Sequence, residues 1–308
     1  MTEDINKKKV YFVTGGGTGG HIYPAVAVGK ALEKESDTEK IYYVGNPDNL
    51  EKRIADDKVF DFLDVKISGM PRRFGLDFLK WGFQLFCATM KSVSYIMKYR
   101  PSLVFGTGGY VSAPMLFASI LTNTPFVIHE CDAIPGMVSK LVAPFAKSVS
   151  LAFEISKEAI KAKNIQVNGN PIREEFLNID RYHARQALHL KDRLTIVVMG
   201  GSQGAKTLNK ALIYTLEDLF KEFDIQIIHQ TGRKNYDETL EMLEKIYPAY
   251  KENNNYILRP YFDRMFTPLI AADIAFTRAG SLSISELCAA GAASILVPYP
   301  CLLYTSDA

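Results

Sequence analysis

The sequence predicts two doubly wound α/β domains facing a cleft, each a parallel sheet covered by helices on both faces. Three observations carry that expectation. Short apolar runs alternate with helical stretches along the whole chain. One run in each half breaks into glycines and then opens a helix: Val10-Tyr-Phe-Val-Thr-Gly-Gly-Gly-Thr-Gly-Gly-His21 and Leu194-Thr-Ile-Val-Val-Met-Gly-Gly-Ser-Gln-Gly204. The length, 308 residues, suits two cores better than one.

The strand candidates are Val10–Thr14, Ile41–Val44, Leu103–Phe105, Phe126–His129 and Ser148–Leu151. In the second half they are Thr195–Met199, Ile225–Gln230, Tyr256–Leu258, Ile274–Phe276 and Ser294–Val297. Several are continuously apolar, as strands covered on both faces must be. Helical stretches between them include Pro24–Glu33, Asp77–Tyr99, Ala205–Phe220, Asn235–Tyr247 and Ser283–Ala290. Pro24 suits a first helical turn and Gly291 a C-terminal stop. The turn-rich Asn168-Gly-Asn-Pro171 marks the boundary, giving domains 1–170 and 171–308.

Composition excludes several classes. Net charge is +2, too small to argue for nucleic acid. Cys87, Cys131, Cys288 and Cys301 form no CxxC pair and no cluster with metal-ligand spacing, so reduced thiols are expected and neither metal nor cofactor is. The polar N-terminus lacks a signal core, and no apolar run reaches the roughly 18–20 residues of a spanning helix. An intracellular protein is expected.

A glycine turn at a helix N-terminus presents bare N–H groups and the positive end of the dipole to an anion. Gly15, Gly17 and Gly20 formally satisfy G-x-G-x-x-G, but that dinucleotide fingerprint also wants an acid at the end of the second strand. Here Val44 runs into Gly45-Asn-Pro47, so a dinucleotide is disfavoured. His21 stands where turn meets helix; there the dipole favours a neutral ring able to accept a proton, or the ring simply bonds to backbone. A third turn, Gly106-Thr-Gly-Gly-Tyr-Val-Ser-Ala-Pro114, and the group His129-Glu-Cys-Asp132 end strands at the same sheet edge. Glu130 and Asp132 suit catalytic or substrate-orienting roles, or local capping toward Gly136. In Arg278-Ala-Gly-Ser-Leu-Ser-Ile-Ser-Glu286, Ser281 or Ser283 can cap a helix. Glu286 either complements the dipole or accepts two ribose hydroxyls.

Together these motifs resemble the MurG family of glycosyltransferases. The resemblance lies in Gly16-Gly-Thr-Gly-Gly-His-Ile-Tyr-Pro24, Gly108-Gly-Tyr-Val-Ser112, His129-Glu130, Gly169-Asn-Pro-Ile-Arg173, Gly200-Gly-Ser-Gln-Gly-Ala205 and Ser283-Ile-Ser-Glu286, running from about Val10 to Pro300. It implies the glycosyltransferase B architecture of two Rossmann-like domains. It also implies transfer of N-acetylglucosamine from UDP-N-acetylglucosamine to the undecaprenyl-diphosphate-linked muramyl-pentapeptide, lipid I. Carried over by position, His21 becomes the general base, with Glu130 also catalytic. Thr18, Gly19 and Gly20 face donor sugar and pyrophosphate. Asp132, where the family often has Asn, faces the donor sugar. Arg173, Ser202, Gln203 and the Phe262 main chain take diphosphate and uracil. Ser281, Leu282, Ser283, Ile284, Ser285 and Glu286 close over the nucleotide. Without an Asp-x-Asp site, backbone N–H groups and Arg173 are expected to meet the leaving UDP's charge. Another UDP-sugar glycosyltransferase, an epimerase, or a binding protein without turnover are the alternatives. After Pro300 the family pattern gives way to Cys-Leu-Leu-Tyr-Thr-Ser-Asp-Ala308, so an incomplete second domain is expected.

Between Pro71 and Arg100 lie six basic residues and one acid, with the single tryptophan, Trp81, among Phe78, Leu79, Phe83 and Phe86. This segment reads either as a helix with an aromatic core face or as a peripheral contact with an anionic membrane surface. The resemblance favours the membrane, through Arg72, Arg73, Phe78, Leu79, Lys80, Trp81 and Lys140. It would place the protein on the cytoplasmic face of the bacterial plasma membrane.

Overall fold

The computed structural model describes residues 8–48, 51–52, 60–71, 73–201 and 204–298. The chain divides into two compact units after Arg173. Pro171–Arg173 thus stay with the first unit rather than opening the second.

The first unit holds a seven-stranded sheet in the order β3-β2-β1-β4-β5-β6-β7, every pairing parallel. Its strands are β1 (Lys9–Thr14), β2 (Thr38–Gly45), β3 (Asp61–Asp64), β4 (Leu103–Gly106), β5 (Phe126–Glu130), β6 (Ser148–Leu151) and β7 (Ile165–Val167). Its helices are α1 (Gly19–Glu33), α2 (Leu76–Tyr99), α3 (Ala113–Leu121) and α4 (Met137–Val142). Alternation along β1 shows why the strand is apolar throughout. Tyr11 and Val13 pack with Ile22, Ala25 and Val26 of α1 on one face. Phe12 packs with Ala88 and Ile96 of α2 and Met115 and Leu116 of α3 on the other. Truncating the fully buried Phe12 to alanine would cost about 3–5 kcal/mol. The edge strands β3 and β7 were not expected from the sequence; each is short and carries too few buried residues to stand out.

The second unit holds a five-stranded parallel sheet, β10-β9-β8-β11-β12. It comprises α5 (Arg181–Ala187), β8 (Leu194–Met199), α6 (Lys206–Glu222), β9 (Ile225–Gln230), α7 (Tyr236–Ile246), β10 (Tyr256–Arg259), α8 (Phe266–Ala271), β11 (Ile274–Arg278), α9 (Ser281–Ala290) and β12 (Ala293–Val297). Its core joins Val198, Ile225 and Ile227 to Leu212, Ile213, Leu216 and Leu243. β12 pairs with β11 along one edge, but Ala293–Leu296 are exposed, Ile295 by 49%.

In each sheet the strand order reverses once, between β1 and β4 and between β8 and β11. Open α/β sheets bind ligands at the carboxyl ends of strands flanking such a reversal. The glycine turns after β1, β4 and β8 all lie there.

Candidate active site

In the first unit the turn after β1 and the turn after β4 interlock. Thr107, fully buried, donates its N–H to Thr14 O and its hydroxyl to His21 O. A Cβ on Gly15 would stand 1.9 Å from Thr107 Oγ1, and one on Gly109 would stand 2.1 Å from Gly16 O. Gly109 also has φ +73°, a conformation side chains disfavour. These glycines are required by the close approach of two turns, before any ligand is considered.

α1 begins within the glycines, with Thr18 as N-cap and His21 N and Ile22 N donating to Thr18 O. Pro24 is therefore the sixth helical residue, not part of the first turn as the sequence suggested; its missing N–H leaves Gly20 O without its usual helical partner. His21 lies in the first turn, half-buried, with Nδ1 2.9 Å from Thr107 O. A carbonyl oxygen only accepts, so Nδ1 carries the hydrogen and Nε2 presents its lone pair. The backbone of Gly108 and Gly109 lies against the ring.

Glu130, 2% exposed at the end of β5, accepts from Asp132 N at 3.0 Å and from Gly136 N at 3.1 Å. Burial raises its pKa above the ordinary carboxylate value, against the lowering effect of Ser139 and the Asp132 amide. Both oxygens are thus used in folding the loop that leads into α4. Asp132 is half-buried, and its carbonyl accepts from Ser156 Oγ. His129 is fully buried; its Nε2 donates to Asn170 Oδ1 at 2.9 Å, and Asn170 Nδ2 donates to Cys131 O. Burial holds the His129 ring below the usual imidazole pKa. The Gly169-Asn-Pro171 motif therefore buttresses the end of β5. Arg173 lies over the Tyr23 ring of α1, 5.0 Å from its centroid.

In the second unit Gly200 and Gly204 admit no side chain: their Cβ atoms would stand 2.1 Å from Ala205 N and 2.1 Å from Thr231 O. Gln230, 1% exposed, accepts from Phe262 N at 2.9 Å and donates to Gly201 O at 3.4 Å. It ties the glycine turn to the segment carrying Phe262. α9 follows β11, with Gly280 as N-cap. Ser281 is its first residue and neither Ser281 nor Ser283 caps it, correcting the expectation. Leu282 and Glu286 are buried, Ser283 and Ile284 half-buried, and Ser285 Oγ donates to Ser281 O. Gly291, φ +65°, ends the helix as expected. Ser202, Gln203 and Arg72 lie outside the described residues, as does everything beyond residue 298.

On α2 the residues Leu76, Leu79, Phe83, Phe86 and Met90 recur at helical spacing and are exposed by 77, 68, 70, 59 and 39%, with Phe74 at 89% just before. Ala88, Thr89, Ser92 and Ile96 form the buried face. Trp81 is half-buried, its indole N–H donating to Ser68 O at 3.0 Å, and Phe78 packs against it at 5.7 Å. The exposed aromatic surface is thus a stripe on one face of α2, not the Phe78–Trp81 pair. Arg73, Lys80 and Lys140 are exposed, Lys80 beside Asp77 at 3.7 Å. Among the described residues no helix is long and apolar enough to cross a membrane.

Residues 11–151 match the glycosyltransferase family 28 N-terminal domain and residues 195–302 the family 28 C-terminal domain. The chain is 37% identical over 290 residues to the UDP-N-acetylglucosamine--N-acetylmuramyl-(pentapeptide) pyrophosphoryl-undecaprenol N-acetylglucosamine transferase of Desulforamulus reducens, covering 94% of this chain and 78% of that one. It is 31% identical to the Bacillus subtilis enzyme of that name, with the same coverage. The chain belongs to the MurG family of glycosyltransferases. The crystal structure of Acinetobacter baumannii MurG superposes with a TM-score of 0.70 at 28% identity, covering 97% of this chain and 82% of that one. A UDP-GlcNAc 2-epimerase of Methanocaldococcus jannaschii superposes at 0.66 with 15% identity, covering 94% and 89%, a likeness of fold alone.

Sequence reasoning missed Thr107 and Gln230. Thr107 lies within the third glycine turn and Gln230 at the end of β9, but each acts through contacts to residues far away along the chain.

Proposed function

We propose that the protein transfers N-acetylglucosamine from UDP-N-acetylglucosamine to the muramic 4-hydroxyl of lipid I, with inversion at the anomeric carbon, forming lipid II. The observation that carries the mechanism is the tautomer of His21: with Nδ1–H held by Thr107 O, Nε2 is the acceptor. Nε2 takes the hydroxyl proton as that oxygen attacks the anomeric carbon. The bond from that carbon to the diphosphate oxygen breaks, and its electron pair leaves with UDP. One displacement inverts the centre, so no covalent enzyme intermediate is needed. Each unit offers positive potential suited to a diphosphate: the first through the N–H groups of Gly19 and Gly20 at the start of α1 and through Arg173, the second through the N–H groups at the start of α9. Glu286 accepts from the ribose hydroxyls. Phe262 N–H is engaged by Gln230, so its carbonyl is the group left to meet the uracil N–H. Glu130 holds the loop bearing Asp132 instead of exchanging protons, since both its oxygens bind backbone.

The exposed α2 stripe, with Arg73, Lys80 and Lys140 on the same unit, supports peripheral contact with an anionic leaflet where a polyprenyl-linked acceptor resides. On this reading the protein binds peripherally at the cytoplasmic face of the plasma membrane.

The test is His21→Ala with donor and lipid I. It should lower kcat by roughly 10²–10⁴ while KM for the donor changes little. A folded variant with unaltered kcat would remove His21 from the chemistry. Turnover of diacylglycerol in place of lipid I would overturn the acceptor assignment.

A further inference from the structure

Beneath the glycine turn after β1 lies a carboxylate that the reaction above does not use. Glu51 is 0% exposed, and its Oε1 accepts from Gly17 N at 2.7 Å. Its Oε2 is buried and has no hydrogen-bond partner among the described residues. A Cβ on Gly16 would stand 2.0 Å from Glu51 Oε1 and 2.9 Å from the carboxyl carbon. Gly16 is therefore glycine because this carboxyl occupies the space a side chain would need. Tyr43 of β2, 1% exposed, donates its hydroxyl to Gly15 O at 2.6 Å. Burial, reinforced by the nearby Glu51, pushes the Tyr43 pKa well up and keeps that hydrogen in place.

Gly15–Gly17 is thus gripped at a carbonyl by Tyr43 and at an amide by Glu51, with Thr107 against Gly15. Gly17 takes φ +89°, and the next residue is the N-cap of the helix that carries His21. An N–H to a carboxylate is about twice as strong as a neutral bond, and a buried one is fixed in direction. The Gly17 amide is consequently not offered to a phosphate, which leaves the helix-start amides of Gly19 and Gly20 for that purpose. We propose that Glu51 is a positioning residue: by fixing the Gly17 amide it sets the start of α1 and so the direction in which His21 Nε2 points. Its effect on turnover rests on the glycosyl-transfer reading; its grip on Gly17 does not.

Three variants of the full chain separate the contributions. Glu51→Ala removes the acceptor, Glu51→Asp keeps the charge but withdraws it by one methylene, and Glu51→Gln keeps an acceptor at full reach. The first readout is the Gly17 amide proton resonance and its exchange with solvent. Its downfield shift and protection should be lost in Ala and Asp and kept in large part in Gln. The second readout is steady-state transfer from UDP-N-acetylglucosamine to a lipid I analogue. Displacing a reacting group by about 1 Å can cost 10²-fold, so kcat should fall roughly 10–100-fold in Ala and Asp with donor KM within about twofold. Gln should recover kcat to within about threefold of wild type, with an unaltered pH profile.

An unchanged Gly17 resonance in Glu51→Ala overturns the proposal. So does a lost resonance with unchanged kcat. A Glu51→Gln variant that keeps the resonance yet loses turnover, or shifts the pH profile, makes Glu51 a participant in proton transfer and also overturns it. If the wild-type chain itself turns over no lipid I, the reaction reading fails while the amide measurement still decides whether Glu51 holds the turn.

Discussion

Acidification should weaken the second unit through one histidine, His229. Its Nε2 lies 3.1 Å from Asn209 Oδ1, while Asn209 Nδ2 donates to Thr231 O at 3.0 Å. The amide orientation fixed by Thr231 makes Oδ1 the atom facing the ring, so Nε2 carries the hydrogen. Nδ1 then accepts from Tyr256 O–H at 2.7 Å, and burial raises the Tyr256 pKa, keeping that donor intact. The ring has no lone pair left for a second proton and no access to water. Burial accordingly lowers its pKa from 6.5 to about 3. Below 6.5 the unfolded chain takes up a proton that the folded one refuses, so stability falls as pH drops toward 3 and the slope flattens beyond. At pH 5 the linkage amounts to about 2 kcal/mol, against a few tenths at pH 7. The loss falls under the glycine turn after β8, because Thr231 O packs where a Gly204 side chain would sit. Native-state hydrogen exchange of the β8, β9 and β10 amides at pH 7 and 5 measures it. His229→Gln, which does not titrate, supplies the reference. Wild type should lose about 2 kcal/mol more than the variant between the two values. Equal losses would show that His229 is not the group refusing the proton, and the tautomer argument would fall with it.

Two further outcomes follow from the site. Glu286→Ala should weaken UDP binding about tenfold or more, since losing a charged acceptor for ribose costs roughly 1.5–3 kcal/mol; calorimetry showing unaltered affinity would take Glu286 out of the site. Replacing Leu79, Phe83 and Phe86 by serine should abolish the salt-resistant part of binding to anionic vesicles while UDP affinity stays the same. Failure of the wild-type protein to float with such vesicles at low salt would end the membrane reading of α2.

Much of the fold was legible because the pattern that reports it is local. β1, β5, β8 and β9 are short apolar runs ending in glycine or polar residues, and that is what strands covered on both faces must look like. The two nucleotide-type turns were legible for the same reason, since only glycine tolerates such crowding of backbone. The ends of elements were less so: α1 begins at Gly19, because helix start is set by where Thr18 O finds donors, not by the proline downstream. The α2 segment shows the limit of composition. Its aromatic and basic content was plain, but which rings face outward depends on the phase of the helix against α3 and β1, and that phase buries half of Trp81 while exposing Phe83 and Phe86.

The sequence by itself determined the fold class and the glycine turns, and it singled out His21 and Glu286 as candidates for proton transfer and ribose binding. Tertiary structure alone decided which nitrogen of His21 is free, that Glu130 is committed to its own loop, and that Glu51 and Thr107 hold the turn. The physical reason is range. Strand and turn propensities act over a few neighbouring residues, whereas the grip on His21 comes from Thr107, 86 residues away, and that on Gly17 from Glu51, 34 residues away. Contacts of that separation leave no periodicity in the chain; they exist only once the parallel sheet has brought the carboxyl ends of β1, β2 and β4 side by side.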